Sequence, residues 1–398
     1  MESKPLPLHP DLEQYKKQAK SLLKAFKSQD SKAIERIRQN HPHGRKLSEA
    51  TLADAQLVLA REHAFESWPK FAKHVQELGQ ANSPFAQFER AVDAVISGET
   101  AKLQELLRQD PQLVRARSPR GHHATLLHYV AANGAEDYRQ KTPKNAVEIA
   151  AILLDAGAEV DAVADEYGKS TTLGLTATSI HPLRAGVLIP LLELLLARGA
   201  SIDGAPGGWN IVNACLANGR KLGSEFIASR GAKLDLEGAA GVGRLDLVKG
   251  FFNQDGSLKP NATKTQMESG FIWACEYGRA EVADFLLTMG IDKNAYRQHR
   301  LTGLHWAVAS GDIETVKAVL KHKPPLEARN VWGGTPLGGA IWAATESDPN
   351  DPVSPKADWV PIIELLLQAG ADILAVEYPT GHSRIDEALR RYGAKEST

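Results

Sequence analysis

The sequence predicts an all-α solenoid, in which pairs of helices repeat along the chain behind a small helical N-terminal unit. In five repeats a glycine closes the first helix, and the last apolar residue of the second helix follows nine residues later, as in Gly98–Leu107, Gly278–Leu287 and Gly311–Leu320. Several leucine-rich second helices then end in a Gly-Ala turn, at Gly157, Gly199 and Gly370. A fixed period of this kind is typical of stacked repeats, because each repeat buries its apolar face only against its neighbours.

The N-terminal 79 residues predict a separate helical unit. Apolar residues recur at three- and four-residue spacing from Leu12 to Phe26, and a second amphipathic stretch runs from 52 to 63. Ser67, followed by Trp68 and Pro69, predicts the N-terminus of a further helix. We therefore expect three or four helices over residues 1–79, and a linker over the small and polar residues 80–84.

The repeats downstream resemble the ankyrin consensus. The clearest copies are Thr302-Gly303-Leu304-His305-Trp306-Ala307-Val308 and the segment from Thr125 to Ala131. The resemblance covers residues 85–393, and it implies about eight ankyrin repeats, each a helix-turn-helix with a β-hairpin, plus a C-terminal cap at 383–392. The N-terminal segments 54–57 and 61–68 resemble a helical domain found ahead of ankyrin repeats in bacterial proteins, which implies a bacterial source.

Four repeats depart from the regular period. The interval from the first-helix closing position to the last apolar residue is 20 residues in repeat 2 (Gly134–Leu154), 16 in repeat 3 (Ile180–Leu196) and 23 in repeat 8 (Ala344–Leu367). Pro190 and Pro361 mark the starts of second helices, so these insertions are predicted to lie between helices. In repeat 5, Leu236 follows Gly231 so closely that the hairpin is predicted to be missing. Function is expected at these departures.

The amino-acid composition indicates which classes of partner and which cellular compartment to expect. The 47 Lys and Arg residues balance 48 Asp and Glu residues, which argues against nucleic-acid and membrane partners. Two cysteines, Cys215 and Cys275, and the lack of an apolar run of about 20 residues favour a reducing cytoplasm. No cysteine or histidine pair has metal-ligand spacing and no phosphate-binding loop is present, so we expect neither a metal nor a cofactor.

Candidate binding residues follow from the resemblance, since ankyrin folds usually bind ligands on a concave face of hairpin tips and first helices. Aromatic residues stand at five predicted tips: Tyr167, Trp209, Tyr296, Trp332 and Tyr378. Such rings either anchor a partner or pack on neighbouring hairpins. First-helix positions expected to face outward hold Glu276, Tyr277 and Trp342, and the inserted basic loop of repeat 2 contributes Tyr138 and Arg139.

The consensus histidine position also separates the repeats. His128 and His305 fit the pattern, and a histidine there is expected to join neighbouring hairpins by hydrogen bonds. Gly174, Asn213 and Gly338 replace it in other repeats. These three positions are predicted to widen the groove or admit a ligand, so Asn213 joins the candidate binding residues.

Two functions are compatible with this pattern. The favoured one is a protein–protein interaction module that binds a protein or peptide, as a monomer or as a dimer formed through the N-terminal unit. The alternative is an enzyme or a binder of a small polar ligand, such as a carbohydrate, with a pocket made by aromatic tips, Glu276 and the insertions of repeats 2, 3 and 8. Carboxylate-based hydrolase or lyase chemistry would then use Glu276 with Asp165 or Glu166.

Overall fold

Successive helix pairs make up most of the computed structural model, which describes residues 3–7, 10–44, 49–78, 83–346 and 355–395. The chain divides into two compact units, Met1–Ile211 and Val212–Thr398. Each unit is described below by itself.

The first unit opens with four helices: α1 (Leu12–Lys27), α2 (Ser31–Asn40), α3 (Leu52–Glu62) and α4 (Trp68–Leu78). The helix predicted to begin at Trp68 is therefore confirmed. Two apolar clusters hold these helices together, one around Leu22, Ile37 and Val58 and one around Tyr15 and Phe71. Of the predicted linker over 80–84, residues 80–82 lie outside the described residues, and Pro84 is already the first residue of the next helix.

The rest of the first unit consists of helix pairs with one short hairpin. The helices are α5 (Pro84–Ser97), α6 (Thr100–Gln109), α7 (Leu126–Tyr129), α8 (Ala146–Asp155), α9 (Thr172–Thr178), α10 (His181–Arg184) and α11 (Leu188–Ala197). Strand β1 (Val163–Ala164) pairs antiparallel with β2 (Ser170–Thr171), with Val163 opposite Thr171. The insertions of repeats 2 and 3 hold a 3₁₀ turn at Asp137–Arg139 and the helix α10, between first and second helices as predicted.

The second unit contains eleven helices among its described residues: α12 (Ile211–Ala217), α13 (Lys221–Ser229), α14 (Leu236–Gly241), α15 (Leu245–Lys249), α16 (Lys264–Glu276), α17 (Ala280–Thr288), α18 (Gly303–Ala309), α19 (Ile313–Leu320), α20 (Pro336–Glu346), α21 (Trp359–Gln368) and α22 (Ser383–Arg391). One continuous apolar core, from Leu236 to Leu389, extends from α14 to α22. Only residues 230–235 join α13 to α14 and they contain no strand, which agrees with the missing hairpin of repeat 5.

A consensus histidine joins neighbouring hairpins by hydrogen bonds, as the repeat pattern predicts. The Nδ1 atom of His305 accepts a hydrogen bond from the Thr302 amide at 3.2 Å, and its Nε2 atom lies 3.2 Å from the Gly334 carbonyl oxygen in the next hairpin. The predicted C-terminal cap is α22, and Arg384 of that helix pairs with Asp358 at 2.9 Å. Residues 347–354, most of the predicted acidic insertion of repeat 8, lie outside the described residues.

Candidate functional site

Three large aromatic side chains of the second unit are exposed on two successive repeats. Tyr296 and Trp332 stand on hairpin loops with 63% and 69% of their surface exposed, and Trp342 of α20 has 66% exposed. The two hairpins are joined, because the Val331 amide donates to the His299 carbonyl at 3.0 Å and the His299 ring lies 4.8 Å from that of Trp332. We call Tyr296, Trp332 and Trp342 the exposed aromatic set.

Two further tryptophans occupy equivalent positions on the first helices α16 and α18. Trp273 is buried, and the guanidinium of Arg297 from the following hairpin lies 5.0 Å from its ring centre. Trp306 is half-buried, and its Nε1 atom has no hydrogen-bond acceptor among the described residues. Both were missed as site residues, although alignment on Gly278 and Gly311 would have placed them at the same position.

Glu276 ends α16, and its environment makes its carboxyl group a weak acid. Burial raises the pKa of Glu276 to about 7, against the opposing effects of the neighbouring Tyr277 side chain and the charge of Arg297. Tyr277 does not face outward as predicted. It is 6% exposed, and its hydroxyl donates to the Leu216 carbonyl of α12, so the ring is used in packing between repeats.

Two of the three replaced histidine positions, Gly174 and Asn213, are used in packing and hydrogen bonding between repeats and do not open a groove. The Asn213 amide donates to Asp235 at 2.8 Å and to Glu237 at 3.1 Å, which ties α12 to the start of α14. The indole of Trp209 fills the space at Gly174, where a Cβ atom would lie 3.0 Å from the ring. At Gly338 a Cβ atom would make only ordinary contacts, the nearest at 3.6 Å.

Two of the five predicted aromatic tips are packing residues. Trp209 is half-buried and its Nε1 donates to the Ser170 hydroxyl at 3.2 Å, while Tyr378 packs partly buried against the apolar core of the second unit. Tyr167, in contrast, is 65% exposed. The alternative of packing against neighbouring hairpins therefore applies to Trp209 and Tyr378.

The first unit contains a buried ionic cluster made by Glu89, Arg120, Glu136 and Arg139. Arg120 is 2% exposed; its Nη1 donates to Glu89 at 2.6 Å and its Nε lies 2.7 Å from Glu136 Oε1. Arg139 was predicted as a binding residue on an inserted basic loop, but the structure buries it in this cluster. It is 7% exposed, because the 3₁₀ turn directs its guanidinium to Glu89 at 2.6 Å.

The two carboxylates of the cluster are strongly acidic. Burial alone would oppose their ionisation, but Arg120 and Arg139 outweigh it and lower the pKa of Glu89 to about 2. The pKa of Glu136 is likewise far below its ordinary value, again because Arg120 and nearby His122 outweigh burial. Tyr138 is half-buried beside the cluster, with its ring 5.5 Å from the Arg139 guanidinium.

An open cavity of about 340 Å³ adjoins this cluster. It brings together Asp165, Glu166 and Tyr167 from the predicted set, and it adds His122 and Glu136, which the sequence had not singled out as ligand-binding. Burial, with repulsion from Glu136 and Asp165, raises the pKa of Glu166 to about 7. Asp165 is more exposed and lies 2.7 Å from His123 Nδ1. Glu276 belongs to the second unit, so its pairing with Asp165 or Glu166 stays a prediction.

Other classes of site are not found in the described part of the chain. Among the described residues, no group of three or more His, Cys, Asp or Glu side chains is arranged to hold a metal ion. Within the same residues, no helix has the length and apolar character needed to cross a membrane. Cys215 and Cys275 are buried free thiols.

Comparison with known proteins identifies the type of repeat. A family model of ankyrin repeats (3 copies) matches residues 236–330 and 271–377. Among solved structures, the ankyrin repeat domain of human ASB11 is 18% identical, and the similarity covers 71% of this chain and 98% of that chain with a TM-score of 0.36. No curated protein matches the chain. The chain has an ankyrin-repeat fold, mostly helical, with a helical N-terminal region, and the predicted fold class is confirmed.

Proposed function

We propose that the second unit binds a protein partner through its exposed aromatic set. Ankyrin repeats are in general protein–protein interaction modules. The observation that carries the proposal is that Tyr296, Trp332 and Trp342 are each more than 60% exposed on successive repeats. Large exposed rings are uncommon away from interfaces, where Tyr and Trp are enriched and supply most of the binding energy.

Two carboxyl groups of the same unit, both close enough to Arg297 to respond to its charge, support a basic partner. Glu276 and Glu237 are both half-buried carboxyl groups, and burial raises the pKa of each. A basic residue of a partner would stabilise their ionised forms, since an opposite charge offsets the effect of burial. The proposed partner therefore presents apolar side chains to the rings and a lysine or arginine to the carboxylates. A bacterial source, a cytoplasmic location and a monomer or N-terminally joined dimer remain part of the proposal.

The test compares capture of proteins from a cell extract by the wild-type chain and by a Trp332→Ser/Trp342→Gln variant. Leu222→Ser is the matched control, because Leu222 of α13 is also an exposed apolar residue of this unit, at 43%. We expect one protein to be retained by the wild type and the control and to be lost by the double variant. Its affinity for the three chains is then measured with purified components, where the double variant should bind at least tenfold more weakly.

The opposite result has two forms. Equal affinity of the double variant would show that the rings are not the interface. Failure to retain any protein, together with a thermal shift caused by a sugar or metabolite in a ligand screen, would favour a small-ligand binder instead.

A further inference from the structure

We propose that the cavity of the first unit, between His122, Glu136 and Glu166, binds the ammonium or guanidinium group of a basic ligand. This inference concerns a different unit from the exposed aromatic set and does not depend on that surface.

The walls of the cavity carry one sign of charge. The carboxylates that line it are Glu136, Asp137, Asp165 and Glu166, and none of the residues described around it is a lysine or arginine. Arg120 and Arg139 approach Glu136 from the protein side, through the Oε1 atom, at 2.7 and 3.4 Å. The cavity side of the cluster is therefore left acidic.

Glu136 supplies the observation that points to a ligand. Its side chain is fully buried, and its second oxygen, Oε2, has no hydrogen-bond partner. His122 Nε2 lies 3.7 Å from this oxygen and is also buried without a hydrogen bond. A buried carboxylate oxygen without a donor is unfavourable, because the hydrogen bonds it makes to water in the unfolded chain are not replaced. A ligand that brings N–H donors to this oxygen would recover that free energy.

Glu166 faces the same space without a cation of its own. Its side chain is 17% exposed, and His122 Nδ1, 3.8 Å away, is an acceptor for the Ala124 amide at 3.1 Å and offers no donor to the carboxylate. The side chain lies against Gly134, where a Cβ atom would be only 2.9 Å from Glu166 Cγ. Glu136 and Glu166 therefore repel each other across His122, and a cation between them would relieve this repulsion.

The size and the rim of the cavity favour an organic cation over a metal ion. The volume of about 340 Å³ far exceeds a single ion, and the described residues include no three-ligand metal group. Tyr167 stands at the rim, and its backbone has a φ of +48°, an unusual conformation for a residue other than glycine. Carboxylates next to an exposed aromatic ring are the groups that recognise ammonium and guanidinium ions.

The experiment is isothermal titration calorimetry of the full chain at pH 8 with two probes of this chemistry. Agmatine represents a free amine, and acetyl-Gly-Gly-Arg-Gly-Gly-amide represents a side chain of a protein. A peptide with norleucine in place of arginine is the probe control. The variants are Glu166→Gln and Tyr167→Asn, and Glu159→Gln is the matched control, because Glu159 is an exposed carboxylate of the same unit outside the cavity.

We expect saturable binding of at least one probe, weakened about tenfold or more by Glu166→Gln, because a charge-assisted hydrogen bond is lost. Tyr167→Asn keeps a residue that tolerates the left-handed backbone, and it should weaken binding about two- to fivefold. Glu159→Gln should bind like the wild type. Stronger binding of agmatine would identify a small amine as the ligand, and stronger binding of the arginine peptide would identify a protein side chain.

Three results would overturn the proposal: no saturable binding of either probe, equal binding of the norleucine peptide, or unchanged affinity in Glu166→Gln. Circular dichroism establishes whether each variant is folded. If Glu166→Gln does not fold, the affinity of Tyr167→Asn decides the test. The Trp332→Ser/Trp342→Gln variant should bind both probes normally, which separates this site from the proposed partner surface.

Discussion

The two units bury different chemistry at the centre of the same kind of helix stack. In the second unit the centre is apolar, with Phe271, Leu286 and Leu304 fully buried. In the first unit, fully buried apolar residues such as Leu103, Leu127 and Leu153 are accompanied by a buried set of charged groups centred on Arg120. A stack of repeats can therefore bury an ionic cluster beside its apolar core. The two solutions differ in how they respond to substitution and to pH, because a buried charge depends on its partners and an apolar side chain does not.

The largest expected effect is that of removing Arg120. Arg120→Met leaves Glu89 and Glu136 buried without their main partner, and we expect the free energy of unfolding to fall by about 3–5 kcal/mol. Urea denaturation followed by circular dichroism measures it, and hydrogen exchange locates the loss in the first unit. Arg244→Met is the control, because Arg244 forms an exposed pair with Asp246, and it should cause no measurable change.

A double variant sharpens this result. Arg120→Met combined with Glu136→Gln removes the charge that the single variant leaves unpaired, so it should be less destabilising than the sum of the two single variants. Simple additivity would mean that the two residues do not interact, and it would contradict the description of a charge-coupled centre.

The repeat architecture could be predicted from the sequence, but the buried ionic cluster around Arg120 could not. Glycine and leucine spacing depends on local helix geometry, so the starts of α18 and α22 could be anticipated from Thr302 and Ser383. The ionic cluster joins residues far apart in the chain, such as Glu89 and Arg120, and no periodicity marks them. Arg139 was misjudged because a charged residue in an insertion is usually solvated. Exposed rings at Trp332 and Trp342 were anticipated because hairpin and first-helix positions follow from the period.

Acid should destabilise the first unit before the second. His74 is fully buried, both ring nitrogens lack hydrogen-bond partners, and burial lowers its pKa to about 4. In the unfolded chain the imidazole takes up a proton near pH 6.5, whereas in the folded chain it does so only near pH 4. Stability from this group is therefore complete above pH 6.5 and falls as the pH decreases towards 4, by about 2–3 kcal/mol.

His74→Leu should remove this dependence while keeping an apolar group next to Phe65. Unfolding free energies are measured between pH 4.5 and 7.5, and their slope against pH should be shallower in the variant. The difference should correspond to about one proton fewer taken up on unfolding. Glu89 does not interfere in this range, because its stabilisation is lost only below about pH 4.5 as the pH approaches its folded pKa of about 2. Identical slopes in wild type and variant would contradict a neutral buried His74.

A smaller effect of the opposite sign is expected at Glu166. Its pKa of about 7 in the folded chain exceeds the ordinary value of 4.5, so ionisation of Glu166 opposes folding. The resulting loss of unfolding free energy grows from pH 4.5 to pH 7 and stays constant above pH 7. Glu166→Gln should therefore stabilise the chain by about 1–2 kcal/mol at pH 8, a figure reduced for partial exposure, and by nothing measurable at pH 4. Thermal unfolding at the two pH values checks this, and equal effects at both would refute it.

The smallest effect on stability is expected at the exposed aromatic set. Within the second unit, the exposed Trp342 is compared with the buried Trp273. Trp342→Gln should change the free energy of unfolding by less than about 0.5 kcal/mol, since the ring is 66% exposed and glutamine suits a helix. Trp273→Ala, in the first helix α16, removes a side chain that is 5% exposed and should cost about 3–5 kcal/mol. A loss above about 1 kcal/mol in Trp342→Gln would mean that this ring contributes to packing, and Trp342 would no longer belong to the proposed partner surface.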